Sequence, residues 1–129
     1  MRVVVTEVRV CTVPFADPQE GRPWDLFSGP DLSYEVYGPD GTRLHRSSTV
    51  CDLRPPDLPV TLDGGFALTT PGPHVLRVLD VDLTTDEVMA RVAFEPDRLV
   101  RTGGDPPSCV EFDEGETTLQ VYFAWEQRP

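Results

Sequence analysis

The sequence predicts an all-β domain, an antiparallel β-sandwich of about eight strands. Fourteen prolines and ten glycines interrupt the 129 residues, which disfavours long helices. Several short segments alternate apolar and polar residues with the two-residue period of a half-buried strand. Turn signals separate those segments, and the length suits a modest core, so a single domain is expected over residues 1–129.

Local composition predicts the individual strands along the chain. The first is rich in β-branched valine. In the second, Leu32, Tyr34 and Val36 share one face, and the turn tetrapeptide Gly38-Pro39-Asp40-Gly41 follows. The predicted strands are residues 3–13, 32–37, 42–50, 66–70, 74–79, 88–94 and 117–125, with Asp63-Gly64-Gly65 as a turn and loops over 14–31, 52–57 and 95–115.

The last two predicted strands have the clearest amphipathic patterns. Residues 88–94 and 117–125 each place an apolar side chain at every second position. These side chains are expected to face the core: Val88, Ala90, Val92 and Phe94 in one strand, and Leu119, Val121, Phe123 and Trp125 in the other.

The charge balance limits the kinds of partner. The formal net charge is -11 and the sequence pI is about 4.4. Such a chain repels nucleic acid and would not dock on an anionic membrane through charge alone. A bound cation would relieve the self-repulsion, although acidity that only maintains solubility is an equally simple interpretation. Arg43, His45 and Arg46 are expected to form a solvated strand edge rather than a phosphoinositide-binding face.

Cysteines and hydropathy bear on the compartment. Cys11, Cys51 and Cys109 are widely spaced, which fits neither a disulfide framework nor a zinc knuckle and predicts buried free thiols. No signal peptide or membrane-spanning apolar run is present in the sequence. We therefore expect a cytoplasmic protein that is peripheral at a membrane if it attaches to one.

Enzymatic motifs are absent from the sequence. His45 and His74 are its two histidines, and neither stands in a recognisable catalytic pattern. They are expected to be ordinary polar residues of strands or of the surface. The sequence thus predicts a non-catalytic protein.

The segment from 79 to 90 carries the strongest functional signal. It places Asp80, Asp82, Asp86 and Glu87 at the junction of two predicted strands. Asp80 and Asp82 are two residues apart and would point to the same side of an extended strand. Calcium prefers six to eight hard oxygen ligands, which a loop of carboxylates can supply. The alternative is a solvated acidic turn, in which aspartate is common.

A second acidic pair makes the pattern more specific. Asp25 and Asp31 stand six residues apart, just before a predicted strand. Together with Asp80-Val81-Asp82 and the later acidic residue, this arrangement resembles the two calcium-binding loops of C2 domains. The sequence departs from that family in lacking an N-P-x-W-N-E motif and in a third loop that is about one residue short, which leaves open whether Asp86 or Glu87 is the last ligand.

The resemblance implies a site and a function. It implies Ca²⁺ as the cofactor, two or three ions of which would be held by Asp25, Asp31, Asp80, Asp82 and either Asp86 or Glu87. Leu26, Phe27 and Leu83 would then contact the membrane, although Phe27 folding back onto the core is the alternative. Binding the ions would change the loops from repelling a phospholipid head group to nearly neutral.

Three functions are compatible with these features. The first is a calcium-binding module that attaches to phospholipid membranes or to an anionic partner. The second is a metal-independent C2-like protein–protein interaction domain that uses a sheet face or edge. The third, a carbohydrate-binding sandwich using Trp24 or Trp125, is disfavoured because Trp125 is in phase with the buried face of its strand.

Overall fold

The computed structural model of the protein describes residues 2–14, 30–81, 86–99 and 106–126. Within these ranges, eight strands form two four-stranded sheets in which all neighbours are antiparallel. The strands are β1 (Arg2–Thr12), β2 (Leu32–Tyr37), β3 (Arg43–Arg46), β4 (Val60–Leu68), β5 (His74–Asp80), β6 (Glu87–Phe94), β7 (Cys109–Glu114) and β8 (Thr117–Glu126). Two single 3₁₀ turns, Pro55–Asp57 and Pro96–Arg98, lie in the connections. The predicted all-β sandwich is confirmed.

The two sheets enclose one apolar core. The first sheet has the strand order β4-β1-β8-β7 and the second has the order β3-β2-β5-β6. Their inner faces carry the alternating side chains that the sequence predicts, among them Leu32, Tyr34 and Val36 of β2, all fully buried. Burying a side chain of this size contributes about 1.5–3 kcal/mol relative to leaving it exposed. The buried Tyr34 hydroxyl donates to the Asp63 carbonyl oxygen at 2.5 Å, which satisfies its polar end.

The predicted turn at Asp63-Gly64-Gly65 is wrong, because β4 runs straight through it. The pairing with β1 shifts by one residue here, between Val5 and Glu7, which is the pattern of a β-bulge. A Cβ on Gly64 would lie 2.7 Å from the Thr6 backbone, and Gly65 has a φ of 91°. These glycines therefore permit a close strand approach inside the sheet rather than a reversal of the chain.

The predicted long loop over residues 95–115 is also wrong in its second half, which contains β7. Cys109, Glu111 and Asp113 are exposed, whereas Val110 and Phe112 pack partly buried against the core. The acidic residues occupy the solvent face of an edge strand, and they conceal the apolar alternation in the sequence.

The prediction that Val88 faces the core is wrong. The register between β5 and β6 shifts so that Val78 pairs with Ala90 but Leu79 pairs with Val88. The extra residue of this bulge is Met89, and it reverses the side-chain alternation before Ala90. Val88 therefore points outward and is 45% exposed.

Cysteine burial also differs from expectation. Cys11, Cys51 and Cys109 are free thiols, but Cys51 and Cys109 are exposed and Cys11 is half-buried. In the described part of the chain, no helix is long and apolar enough to cross a membrane.

Candidate functional site

Three segments meet at one end of the second sheet. They are residues 30–31, which precede β2, residues 52–53 in the connection after β3, and residues 80–81 at the end of β5. Two backbone hydrogen bonds join them: the Val81 N–H donates to the Asp31 carbonyl oxygen at 2.8 Å, and the Leu53 N–H donates to the Pro30 carbonyl oxygen at 2.9 Å. This end of the sandwich is thus fixed by the antiparallel alignment of β2 with β5.

Among the acidic residues that the structure describes at this end, Asp80 is the most buried, at 3% exposure. It continues the inward alternation of Leu76 and Val78, but β5 ends at Asp80, so its carboxylate lies where the core gives way to the loops. Its Oδ1 accepts the Asp31 N–H at 3.0 Å. A buried carboxylate is tolerated only with such compensation, because burial away from water disfavours the charge.

Asp31 links all three segments. Its N–H donates to Asp80, and its own Oδ1 accepts the Asp52 N–H at 2.8 Å. Two predicted ligands that are 49 residues apart in sequence are therefore in direct contact. Among the residues described, none donates a hydrogen bond to the second carboxylate oxygen of Asp31.

Sequence reasoning missed Asp52. Its backbone is in the left-handed region, with a φ of 53°, where aspartate is one of the few tolerated side chains. Its side chain pairs with Arg54, between Oδ1 and Nη2 at 3.0 Å. The signal in the sequence is a lone acidic residue before the proline-rich stretch, which by itself indicates only a loop.

The structure places the side chains of Asp86 and Glu87 in different surroundings. Glu87 begins β6 and lies directly opposite Asp80 in the β5–β6 register, so the two acidic residues share one face. Asp86 instead forms an ion pair with Arg46, with Oδ2 and Nη1 2.9 Å apart. Two like charges directly opposite each other destabilise a strand pair unless neighbouring groups compensate them.

The remaining predicted residues lie outside the described ranges. Asp25 and Asp82 are the missing ligand candidates, and Leu26, Phe27 and Leu83 are the membrane-contact candidates. Within the four ranges that the structure describes, no three His, Cys, Asp or Glu side chains form a group that could hold a metal ion. The contact between Asp31 and Asp80 joins a backbone N–H to a carboxylate oxygen. Carboxylate oxygens are the ligand type that calcium prefers.

A second charged cluster lies on the outer face of the same sheet, around Glu35. This side chain is 3% exposed and accepts hydrogen bonds from Arg77 at 2.7 Å, Arg43 at 3.0 Å and the Tyr37 hydroxyl at 3.1 Å. Arg46 adds an ion pair at 3.5 Å. Burial alone would raise the pKa of Glu35, but the hydrogen bonds from Arg77, Arg43 and Tyr37 outweigh it and hold that pKa below the ordinary value.

Arg43 and Arg46 therefore bind a buried acid, and they do not share a face with His45. The His45 ring stacks on Phe66 with ring centroids 4.3 Å apart, and Nε2 lies 3.3 Å from the Asp63 carbonyl oxygen. The sequence analysis expects a solvated strand edge, and β3 is indeed an edge strand. Its two arginines, however, form ion pairs with the buried Glu35.

Comparison with known structures identifies the fold. A solved structure described as a C2 domain matches with a TM-score of 0.65 at 15% identity, over 95% of both chains. Human GIVD cytosolic phospholipase A2, solved with methyl gamma-linolenyl fluorophosphonate, matches with a TM-score of 0.58 at 18% identity. That match covers 95% of this chain and 16% of the phospholipase. No protein-family model matches the sequence, and no curated protein matches it by sequence.

The chain thus has the C2 fold, as the resemblance of its acidic loops implies. At these identities the similarity concerns the fold, and residue roles have to be argued from the site itself.

Proposed function

We propose that this chain is a non-catalytic module that binds calcium at the end of its second sheet and thereby attaches to phospholipid membranes. The observation that carries the proposal is the contact between Asp31 and Asp80, at 3.0 Å, with Glu87 in register beside Asp80. Three acidic residues from two distant parts of the chain lie at one end of the sandwich. A cation there would offset the burial of Asp80 and its repulsion with Glu87.

The proposed ligands come from both acidic loops. Asp31, Asp80 and Glu87 are the described members, and Asp25 and Asp82 complete the set by sequence position. Calcium would supply positive charge and open coordination positions for phosphate oxygens of lipid head groups. The register favours Glu87 over Asp86 as the last ligand, because Asp86 is held by Arg46.

Membrane attachment rests on two further features. Leu26, Phe27 and Leu83 occur within the same two acidic loops, where they are placed to enter the interface while ions meet head groups. In addition, a similar domain occurs in a human phospholipase, an enzyme whose name describes action on phospholipids.

Thermal melts with calcium and with chelator test the calcium site. Calcium at roughly 100 times its Kd stabilises a native-state binder by about 2.7 kcal/mol, or roughly 10 °C for a domain of this size. The Asp80→Asn/Asp82→Asn double variant should lose this increase, whereas Glu111→Gln on the exposed face of β7 should keep it. A melting temperature that is indifferent to millimolar calcium in the wild type would contradict the site.

Vesicle co-sedimentation then tests the membrane role. Phosphatidylcholine vesicles containing phosphatidylserine should bind the wild type in calcium and release it in chelator. Leu83→Asp should reduce binding while the calcium-dependent rise in melting temperature persists. Calcium binding without any vesicle binding would restrict the function to an anionic protein partner.

A metal-independent interaction domain is the second candidate. The observation in its favour is the Asp86–Arg46 ion pair, which stabilises one side of the loop end without a metal. In this case, capture of a partner protein would be unchanged by chelator and by the Asp80→Asn/Asp82→Asn double variant.

A further inference from the structure

A cavity opens at the end of the sandwich that lies opposite the acidic loops. It has a volume of about 310 Å³, and its wall combines residues of both sheets. Five of them lie on β1, β4 and β8 of the first sheet or just after β6 of the second: Val3, Leu68, Trp125, Pro96 and Asp97. Because β6 begins opposite Asp80 and ends at Phe94, the length of a strand separates this cavity from the candidate calcium site.

The apolar part of the wall includes a fixed aromatic ring. Trp125 is half-buried, and its Nε1 donates to the Pro107 carbonyl oxygen at 2.6 Å. This hydrogen bond uses the single polar atom of the indole and fixes the plane of the ring. Trp125 therefore offers the cavity an apolar aromatic surface, next to the rings of Pro71 and Pro96.

Among the described residues that line the cavity, Asp97 is the one that carries a charge. Its Oδ1 accepts the Gly72 N–H at 3.4 Å, and in the described part of the chain it has no ion pair. Four charged residues on the neighbouring segments pair with each other instead: Arg2 with Glu126 at 3.5 Å, and Arg98 with Glu95 at 2.6 Å. The Asp97 carboxylate is thus an uncompensated negative charge on the same cavity as an aromatic ring.

The lining favours a cation that donates hydrogen bonds. Besides Asp97, its polar side chains are those of Thr69 and Thr70, which are exposed and whose hydroxyl oxygens accept hydrogen bonds. No lysine or arginine is among the described lining residues, so an anion would find no opposite charge there. The net charge of -11 acts in the same direction over a longer range, because it attracts basic partners.

We propose that this cavity, which we call the Trp125–Asp97 pocket, binds an arginine side chain of a basic protein segment. A guanidinium group stacks on an aromatic ring through its plane and pairs with a carboxylate through its edge, so it matches both parts of the wall. An ammonium group is a more strongly hydrated point charge and gains less from such a wall. The volume is at the lower limit of small-molecule sites, about 300–1,000 Å³, which suits one long side chain.

The pocket is tested in chelator, because it does not depend on calcium binding. The peptide acetyl-Gly-Arg-Gly-amide is titrated into the ¹⁵N-labelled protein at constant ionic strength. We expect saturable shifts of the Thr69, Thr70 and Asp97 amide signals and of the Trp125 indole signal, with a Kd of about 1–10 mM.

Two matched peptides test the chemistry of the ligand. The same peptide with citrulline keeps the shape of arginine without its charge, and it should bind at least about tenfold more weakly because the charge-assisted and cation–π interactions are lost. The same peptide with lysine keeps the charge without the planar group, and it should bind at least about threefold more weakly.

Substitutions separate the pocket from general charge attraction. Asp97→Asn removes the charge but keeps an oxygen to accept the Gly72 N–H, so the fold should persist while the affinity falls at least about fivefold. Glu111→Gln, on the exposed face of β7, removes the same charge elsewhere and should change the affinity by less than about twofold. Trp125→Leu replaces the aromatic surface by an aliphatic one and should weaken binding about threefold.

Three results would overturn the proposal. They are no saturable shift of the pocket signals up to about 20 mM arginine peptide, equal weakening by Asp97→Asn and Glu111→Gln, and citrulline or lysine peptides that bind as tightly as the arginine peptide. Saturable shifts that Asp97→Asn reduces and Glu111→Gln preserves, with the arginine peptide binding most tightly, support it.

Discussion

Strands β5 and β6 carry two like-charged pairs of opposite sign. Asp80 and Glu87 are directly opposite at the loop end, and Arg77 and Arg91 are directly opposite near the middle of the sheet. The pairs lie on opposite faces, since Arg77 and Asp80 are three residues apart on one strand. Natural strand pairs avoid such repulsion, and departures from local rules concentrate at functional sites. The acidic pair is therefore part of the geometry that supports the proposed calcium site.

The two pairs also differ in what fixes them. Asp80 is bound by the backbone of a neighbouring loop, through the Asp31 N–H. Arg77 is bound by the side chains of Glu35 and Tyr37 on the adjacent strand. The acidic pair is thus positioned by loop geometry, and the basic pair is positioned by a buried ion network within the sheet.

Glu35→Gln should have the largest effect on stability. It leaves Arg43, Arg46 and Arg77 without their shared buried carboxylate, and we expect the free energy of unfolding to fall by about 3 kcal/mol. Urea denaturation measures this change. Glu111→Gln, an exposed acid on β7, serves as the control and should change stability by less than about 0.5 kcal/mol. Equal effects of the two substitutions would mean that the network does not organise the outer face of the second sheet.

Glu87→Gln should distinguish the two candidate last ligands. In calcium, it should weaken binding about tenfold, because a ligand carboxylate is lost. In chelator, it should stabilise the protein by about 0.5 kcal/mol, because repulsion with Asp80 is relieved. Calorimetric titration and urea denaturation measure the two effects. If Asp86→Asn weakens calcium binding more than Glu87→Gln does, the register argument is wrong.

Acid should destabilise the protein through Glu35, by less than the substitution does. The pKa of Glu35 is lowered in the folded state, so its contribution is fully present above its unfolded value of about 4.5 and is lost as the pH falls through the folded value. The effect is smaller because a protonated Glu35 keeps its place and some hydrogen bonds. Urea midpoints between pH 7 and 3 should fall more steeply for wild type than for Glu35→Gln. Parallel curves would contradict this assignment.

Arg91→Gln should have the smallest effect, and it should stabilise. Removing the charge opposite Arg77 should raise the free energy of unfolding by about 0.5 kcal/mol at low ionic strength. Arg9→Gln is the matched control, because Arg9 lies opposite Thr61 and Gln120, which are uncharged. Destabilisation by Arg91→Gln would show that the two arginines do not repel each other.

The sequence predicts the fold well where alternation is uninterrupted. The inward residues of β2 and β8 are Leu32, Tyr34, Val36, Leu119, Val121 and Phe123, and all of them are buried as expected. Prediction failed at the bulge between β5 and β6. The extra residue reverses the sheet face to which the preceding side chains point, so Val88 points outward. It failed again at Gly64 and Gly65, because two adjacent glycines are as typical of a turn as of a close approach between strands.

The site is predictable only in part, for a related reason. Local sequence identifies Asp31 and Asp80 as acidic residues beside strands, and the structure brings them together. Cross-strand register is not visible in local sequence, so neither Glu87 opposite Asp80 nor Arg91 opposite Arg77 could be predicted. Asp25 and Asp82 lie outside the described residues and stay predictions.

The most direct test of the calcium site is a calcium titration of the ¹⁵N-labelled protein followed by NMR. We predict saturable shifts of the amide signals of Asp31, Asp52, Val81 and Glu87, whose segments meet at the loop end. The amide signals of Arg77 and Arg91 should stay in place. Saturable shifts confined to residues away from the loop end, or none up to millimolar calcium, would contradict the account.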